Sequence, residues 1–263
     1  MVDPYFKFGW VDVPYDTLSH NWARQALSIG QQAMKDPLLA HWWVCENTWF
    51  VGVDALPNDV DGAMPGGVPF PESAKHAVTS RFRAMPRLHE GQLSVVRPGY
   101  PRPRAGESTA AFCYRQKRCA AHVDGLKPVG PEKRRYLEER HAWILGLPLT
   151  ENDNTEAPLV VWEGSHLIIQ KAFCDALHRF PTEEWQNIDL TDVYHAARRQ
   201  AFQSCRRVAI NARPGGGFLL HRLCLHGVAP WGNSASANPD TYRAIAYFRP
   251  KDTGPADVWL NRR

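Results

Sequence analysis

Several features that identify a protein class at once are scarce or missing in this sequence. The six cysteines form no Cys-x-x-Cys pair and have no regular spacing, which argues against a zinc ribbon or a disulfide framework. No apolar run reaches the roughly 18 residues of a membrane-spanning helix, and no early apolar stretch resembles a secretory signal. We therefore expect free thiols, a cytoplasmic location and no membrane partner.

Charge of one sign is not concentrated anywhere along the chain. The net charge is +4 and the pI is near 8.8, and the basic clusters at 133–135, 198–199 and 206–207 are short. A nucleic-acid surface usually carries a denser basic stripe, so we expect no nucleic-acid partner. The modest positive balance suits a small anionic ligand instead.

Short strands separated by turn residues are the main pattern after residue 90. The chain has 263 residues, 44% of them hydrophobic, with 10 Trp, 8 Tyr and 11 Phe, which is enough for a substantial core. Many short strands with Gly and Pro between them predict an antiparallel sandwich or barrel. The predicted strands are 48–53, 93–97, 110–118, 141–149, 157–162, 206–212, 217–220, 224–228, 242–248 and 258–260.

Helical patterns surround and interrupt these strands. Helices are predicted over 17–35, 72–84 and 131–140, and residues 167–204 are helical in composition, as in an insertion between strands. Residues 1–15 are irregular, and the Gly- and Pro-rich loop 57–71 is long enough for a lid. We expect one domain over 1–263, with residues 1–90 as helical flank and lid loop and 91–263 as the β core.

The tripeptide His122-Val-Asp124 carries the first chemical signal. On a strand, side chains two residues apart share a face, so both could bind one metal ion. Together they are two members of the 2-His-1-carboxylate triad that holds Fe(II) with open positions. Composition alone predicts about one His-x-acid match, and one occurs. The tripeptide therefore needs independent support.

That support comes from the last third of the chain. His226 precedes Gly227, whose missing side chain allows another backbone to approach closely. In the strand that follows, alternation places Arg243, Tyr247 and Arg249 on one face. An inward arginine requires an anion, and its two-pronged guanidinium matches a carboxylate. A 2-oxoacid that chelates iron at one end would satisfy Arg243 at the other, with Arg249 as a competing candidate.

Other residues offer weaker alternatives. His221 lies five positions before His226 and should face away from it, so a zinc site of His221, Cys224 and His226 would mix both faces of a strand. His166 suits the orientation of a loop better than metal binding. Tyr114, on the strand predicted before His122, could contact the co-substrate.

The motifs in their order resemble the phytanoyl-CoA dioxygenase family. The resemblance covers roughly residues 90–250: His122-x-Asp124, Trp143-Ile-Leu-Gly-Leu-Pro-Leu, Ala157-Pro-Leu-Val-Val-Trp-Glu-Gly-Ser-His166, Leu225-His226-Gly227 and Arg243. It implies a double-stranded β-helix, a jelly-roll barrel of mainly β (α+β) class with flanking and inserted helices. It also implies that His122, Asp124 and His226 bind Fe(II), that Arg243 binds 2-oxoglutarate, and that O₂ is consumed.

Two departures from the family pattern concern the site. Glu163 replaces the usual proline before Gly-Ser-His, and an apparent insertion, 233–239, separates His226 from Arg243. Halogenases of this fold lack the carboxylate, so Asp124 favours hydroxylation of a small molecule. Two alternatives remain: dealkylation of nucleic acid, because Arg243-x₅-Arg249 resembles the paired arginines of DNA-repair dioxygenases, and a non-catalytic jelly-roll binding protein.

Overall fold

The computed structural model describes residues 2–232 and 240–262, which form antiparallel sheets between helices. The apparent insertion at 233–239 lies outside the described residues. The helices are α1 (Pro4–Phe8), α2 (Thr17–Ala33), α3 (Glu72–Thr79), α4 (Thr109–Arg118), α5 (Ser165–Leu177), α6 (Thr191–Ser204) and α7 (Ala256–Asn261). The strands are β1 (Trp10–Val13), β2 (Trp43–Val44), β3 (Trp49–Phe50), β4 (Gln92–Val96), β5 (Leu126–Val129), β6 (Arg134–Leu137), β7 (Trp143–Pro148), β8 (Leu159–Trp162), β9 (Arg207–Ile210), β10 (Gly217–His221), β11 (His226–Val228) and β12 (Arg243–Phe248).

Two of the sheets face each other across a shared apolar interior. The larger has the order β1-β10-β7-β12-β4-β3-β2, and the smaller has the order β11-β8-β9. Ile144, Phe218 and Ile245 of the larger sheet pack with Leu159 and Val161 of the smaller. Alternate residues of a strand point to opposite faces of the sheet, so the residues between these inward-facing ones point to the outer faces.

These outward-facing residues form the outer faces of the two sheets. Leu145, Leu219 and Ala246 lie under the helices α2 and α3, in the cluster that contains Trp22. On the other side, Trp162 of the smaller sheet packs with residues of α5 and α6. The architecture is therefore helix, sheet, sheet, helix. Period-two alternation in the buried strands is what divides the core in this way.

The predicted strands of the β core are largely confirmed, but the first 90 residues do more than flank it. They supply three strands of the larger sheet, β1, β2 and β3, so the expectation of an irregular 1–15 segment was wrong. β1 pairs with β10, with Trp10 opposite Leu220. A strand of four residues has too short a pattern to reveal a partner more than two hundred residues away.

Loop 57–71 is not a lid over the interior. The Trp22 indole donates to the Gly62 carbonyl over 2.9 Å, and Met64 and Phe70 join the core beneath α2. Helix α2 begins where Asp16 accepts a hydrogen bond from the Ser19 amide at 2.8 Å. The loop is thus a packed part of the helical layer.

Three segments have a different structure from the one predicted. Residues 109–118 form helix α4, because Ser108 caps it and alanine and basic residues favour a helix. Residues 126–137 form a hairpin instead of a helix, since Gly130 and Lys133 take left-handed backbone angles at its turn. Residues 256–261 form α7 after Pro255, with Trp259 buried. None of the helices within 2–232 and 240–262 combines the length and apolar character needed to cross a bilayer.

Two buried histidines, His166 and His221, predict an acid-sensitive fold. Their rings lie 4.7 Å apart, and each is 2% exposed. Burial lowers the pKa of both below the ordinary value of 6.5. Both are therefore neutral in the folded chain, and unfolding lets them bind protons. Their contribution to stability is complete above pH 6.5 and is lost as the pH falls below it.

We expect the free energy of unfolding to fall between pH 6 and 5, by about 1 kcal/mol per pH unit from His221 alone, whose pKa lies well below 6.5. Urea titrations of the EDTA-treated protein at several pH values measure this slope. A His221→Gln variant should have a shallower slope than the wild type. An unchanged slope in that variant would contradict the assignment.

Candidate metal centre

His122 and His226 are brought together by a short backbone pairing. Helix α4 ends at Cys119, and Cys119 and Ala120 have left-handed φ angles of 57° and 49°. This turn directs the chain to β11, where the His122 amide donates to the His226 carbonyl at 2.8 Å and the His226 amide donates to the His122 carbonyl at 3.1 Å. The two histidines are therefore direct neighbours across an antiparallel bridge.

The side chains of His122, Asp124 and His226 converge on one point. Asp124 Oδ1 lies 3.1 Å from His122 Nε2 and 3.8 Å from His226 Nε2. One donor atom from each residue lies within 4.8 Å of the other two, and this is the one such group of three or more in the described part of the chain. The structure thus assembles the three residues that the sequence singled out.

The backbone orients both imidazoles. His122 Nδ1 lies 3.0 Å from the Ala120 carbonyl, and His226 Nδ1 lies 2.9 Å from the Cys224 carbonyl. A carbonyl can only accept a hydrogen bond, so each Nδ1 carries the proton. Each Nε2 then presents a lone pair toward Asp124, which is the arrangement that metal-binding histidines require.

The local environment favours the metal-binding protonation states. Burial lowers the pKa of His226 to about 4, which keeps its ring neutral at pH 7. Burial alone would raise the pKa of Asp124, but the Arg249 guanidinium holds it well below its usual range. A carboxylate and two imidazole lone pairs repel each other at these distances unless a cation lies between them.

Arg249 contacts the carboxylate from the other side. Its Nη1 lies 3.1 Å from Asp124 Oδ2, while its Nη2 donates to Gln92 Oε1. Gln92 is fixed in turn because its Nε2 donates to the Val51 carbonyl at 2.8 Å. One oxygen of Asp124 is therefore held by Arg249, and the other is left facing the two histidines.

Arg243 is buried in the interior, and no described residue forms an ion pair with its guanidinium. It is 4% exposed, and none of its three guanidinium nitrogens has a hydrogen-bond partner among the described residues. It lies near Leu159, which also belongs to the wall of the metal-site cavity, but Arg243 itself does not line that cavity. Tyr247, four residues further along β12, lies within electrostatic reach of it. A buried cation without a partner is costly and indicates a missing anion.

A cavity of about 270 Å³ opens beside the three ligands. Asp124, His226, Tyr247 and Arg249 contribute to its inner part. The remaining wall is mostly apolar and comes from β3, β4, β8 and the segments beside them, with Trp49, Val51, Val53, Tyr100, Leu159 and Val228 as its larger members. The site is therefore a pocket between the two sheets.

Tyr114 is not brought to this cavity. It lies on α4, where its hydroxyl donates to the Ala121 carbonyl at 2.6 Å and its ring faces Arg198. The prediction that Tyr114 contacts the co-substrate assumed a strand over 110–118. Because this segment is a helix, the alternation of side chains between two faces does not apply. Tyr114 instead helps to fix the turn that precedes His122.

The alternative zinc residues are also separated. His221 Nδ1 accepts from the Leu223 amide at 3.1 Å, and Cys224 lies in the apolar interior, where burial raises the pKa of its thiol to about 12. His166 Nε2 lies at hydrogen-bond distance, 3.1 Å, from the Phe6 carbonyl oxygen, which agrees with a role in orienting the chain. The structure forms no metal-ligand group from these residues within its described ranges.

Sequence reasoning missed most of the cavity wall. Trp49, Gln92 and Tyr100 lie far from the motifs in sequence, and they reach the site because β3 pairs with β4 and β4 pairs with β12. Gln92 gave the one available signal, since it is a polar residue at the start of an apolar strand. Its bonds to Arg249 and Val51 explain why an amide is buried there.

The donor set fits iron. Two neutral imidazoles and one carboxylate are the ligands of non-haem Fe(II) sites, and they leave several coordination positions open. The unpartnered guanidinium of Arg243 is the kind of group that a dicarboxylic co-substrate would satisfy. The residues present are therefore compatible with both iron and 2-oxoglutarate.

Comparison with known proteins gives matches in structure only. No family model matches the chain, and no curated protein sequence matches it. Among solved structures, AviO1 from Streptomyces viridochromogenes Tue57 is similar with a TM-score of 0.50 and 13% identity, over 96% of this chain and 93% of that one.

Two further similar structures have informative descriptions. SnoK, a non-heme alpha ketoglutarate dependent carbocyclase from nogalamycin biosynthesis, has a TM-score of 0.47 and 15% identity over 95% of this chain and 81% of its own. HygX from Streptomyces hygroscopicus was solved with nickel, 2-oxoglutarate and hygromycin B bound. It has a TM-score of 0.46 and 14% identity, over 95% of this chain and 85% of its own. At these identities the likeness concerns the fold, and AviO1 is the match that supports it.

Proposed function

We propose that this chain is a single-domain Fe(II)- and 2-oxoglutarate-dependent oxygenase of the double-stranded β-helix type that hydroxylates a small molecule. The observation that carries the proposal is the convergence of His122, Asp124 and His226, with both imidazole Nδ1 atoms committed to backbone carbonyls. Two facing antiparallel sheets with the ligands between them support the fold assignment.

The metal-binding residues, Arg249 and the apolar wall would each have a separate role in the reaction. The three ligands hold iron, which with bound 2-oxoglutarate supplies the oxidation of a C–H bond by O₂, with succinate and CO₂ as co-products. Arg249 keeps Asp124 ionised and holds its outer oxygen. The apolar wall excludes water from the inner part of the pocket, which strengthens each charge interaction there.

Arg243 is the residue we assign to the distal carboxylate of 2-oxoglutarate. Its guanidinium is buried and has no hydrogen-bond partner among the described residues, whereas both terminal nitrogens of Arg249 already contact Asp124 and Gln92. The side chains share one face of β12, so a dicarboxylate could extend from the metal toward Arg243. Because Asp124 keeps its place as a ligand, there is no position for a bound halide, which supports hydroxylation.

Replacement of Arg243 by methionine should weaken 2-oxoglutarate binding about 100-fold, the loss expected for a buried charge pair of about 2.7 kcal/mol. Anaerobic titration of the Fe(II)-loaded protein, followed by the visible charge-transfer band, measures this affinity. Metal affinity should stay close to that of the wild type.

The matched control is Arg134→Met, which removes an exposed arginine of the β5–β6 hairpin. If Arg243→Met binds 2-oxoglutarate normally and Arg249→Met does not, then Arg249 is the clamp and the assignment is wrong. If the wild type gives no band and no succinate with any metabolite, the proposed function itself fails.

A further inference from the structure

The polar side chains in the cavity wall are already used within the protein. Gln92 donates to the Val51 carbonyl and accepts from Arg249. Ser94 accepts from the Trp49 indole at 3.1 Å, and the Cys119 sulfur accepts from Arg207 at 3.6 Å. These groups shape the wall but leave little bonding capacity for a ligand.

The charged groups of the same wall are also neutralised or reserved. Arg249 faces Asp124 and Gln92, and Asp124 faces the two histidines. Among the described wall residues, Asp124 is the one carboxylate and Arg249 the one permanent cation. The Tyr100 hydroxyl is buried and has no hydrogen-bond partner among the described residues, and Tyr247 lies toward Arg243. Among the described wall residues the charged groups are therefore already paired, and the neutral hydroxyl of Tyr100 is left to bond a polar atom of a ligand.

Apart from that hydroxyl, the surface that remains for a substrate is rigid and apolar. Trp49, Val51, Val53, Leu159 and Val228 provide it. The Trp49 ring is fixed because its nitrogen bonds Ser94, Arg104 lies over it at 5.0 Å, and Tyr100 packs against it at 5.8 Å. A wall fixed in this way is already formed before the ligand arrives, which lowers the cost of binding.

Desolvation then determines which molecules are accepted. A charged or many-hydroxyl substrate would lose its water here and find few side-chain partners beyond the neutral Tyr100 hydroxyl, which disfavours its binding. An apolar group loses nothing by leaving water and gains contact with the wall. The volume of about 270 Å³ is also below the roughly 300–1,000 Å³ of sites for drug-sized ligands.

We propose that the substrate is uncharged and mainly apolar in the part that enters the cavity, with a size of about one ring or a short chain. This inference rests on the proposed function, because it assumes that the metal and 2-oxoglutarate fill the inner part. It names a substrate class that the metal ligands alone do not define.

Paramagnetic ¹⁹F NMR tests this class directly. The protein is loaded with Mn(II) and saturating 2-oxoglutarate, and three probes of equal size are compared: 4-fluorobenzyl alcohol, 4-fluorobenzylammonium and 4-fluorobenzoate. Only a probe that binds beside the metal is broadened. We expect the neutral alcohol to be broadened at least fivefold more than either ion. The proton signals of 2-oxoglutarate in the same sample report occupancy of the metal and co-substrate sites.

A Val53→Glu variant places a carboxylate in the apolar wall and should reduce the broadening of the alcohol at least fivefold. The control is Val60→Glu, at a valine that is 41% exposed in loop 57–71 and outside the cavity wall.

The substrate class is overturned if the ions are broadened as much as the alcohol, if no probe is broadened, or if Val53→Glu behaves as the wild type. If the 2-oxoglutarate signals are not broadened, the proposed function fails and the substrate class with it.

Discussion

An Asp124→Ala variant is expected to lose metal binding by more than about 100-fold and to release no succinate from 2-oxoglutarate. The substitution removes the only anionic donor of the three converging ligands. It also leaves Arg249 without its partner at 3.1 Å, in a partly buried position. Isothermal titration with Fe(II) under anaerobic conditions, followed by a succinate assay, measures both losses.

The Arg249 contact allows loss of the ligand to be separated from loss of stability. The single variant should be less stable, because removing one partner of a buried ion pair leaves an unpaired charge. The double variant Asp124→Ala/Arg249→Met should recover part of the melting temperature without recovering metal binding. Asp61→Ala, at an exposed loop aspartate, is the control for a simple change of charge. Normal metal affinity in Asp124→Ala would show that the three residues are not a metal site.

Gly227→Ala is expected to destabilise the fold strongly. A Cβ at this position would lie 2.2 Å from the Cys119 carbonyl oxygen and 3.1 Å from the Ala121 Cα, both of which are backbone atoms. The strand would have to move away from the 119–122 segment. We expect a destabilisation of about 3 kcal/mol, or roughly 8 °C in melting temperature.

The same displacement would separate His122 from His226, since their bridge borders the contact. Thermal unfolding with and without Fe(II) measures both effects, and the stabilisation by metal should largely disappear. Gly254→Ala is the control, because the atoms nearest its added methyl are ends of the Asp252 and Arg262 side chains, which can move aside. If Gly227→Ala has the melting temperature of the wild type, the close contact between β11 and the 119–122 backbone does not limit stability.

The sequence predicted the three converging side chains better than it predicted their surroundings. His122, Asp124 and His226 could be selected because spacing on a strand and a glycine after the histidine are local signals. Tyr114 could not be placed, because its segment has the composition of a helix and the interpretation assumed a strand. The signal was present in Ser108 and the basic residues of the last turn.

Long-range pairing explains what the sequence could not provide. Strand β1 is four residues long and is defined only by its partner β10. The cavity wall needs β3 beside β4 and β4 beside β12, a set of contacts between residues about 50 to 150 positions apart. The buried strands β7, β8 and β10 were easier, because continuous apolar runs identify them without their neighbours.

Both histidine ligands take their orientation from a carbonyl two residues earlier in their own segment, Ala120 for His122 and Cys224 for His226. Elsewhere in proteins, a separate carboxylate often performs this task. Here the orientation of each imidazole ring is set by the local backbone and not by a distant side chain. Substitutions across the pocket wall can therefore change which molecule is accepted while the ring orientations stay as they are. The centre and the wall are free to diverge at different rates.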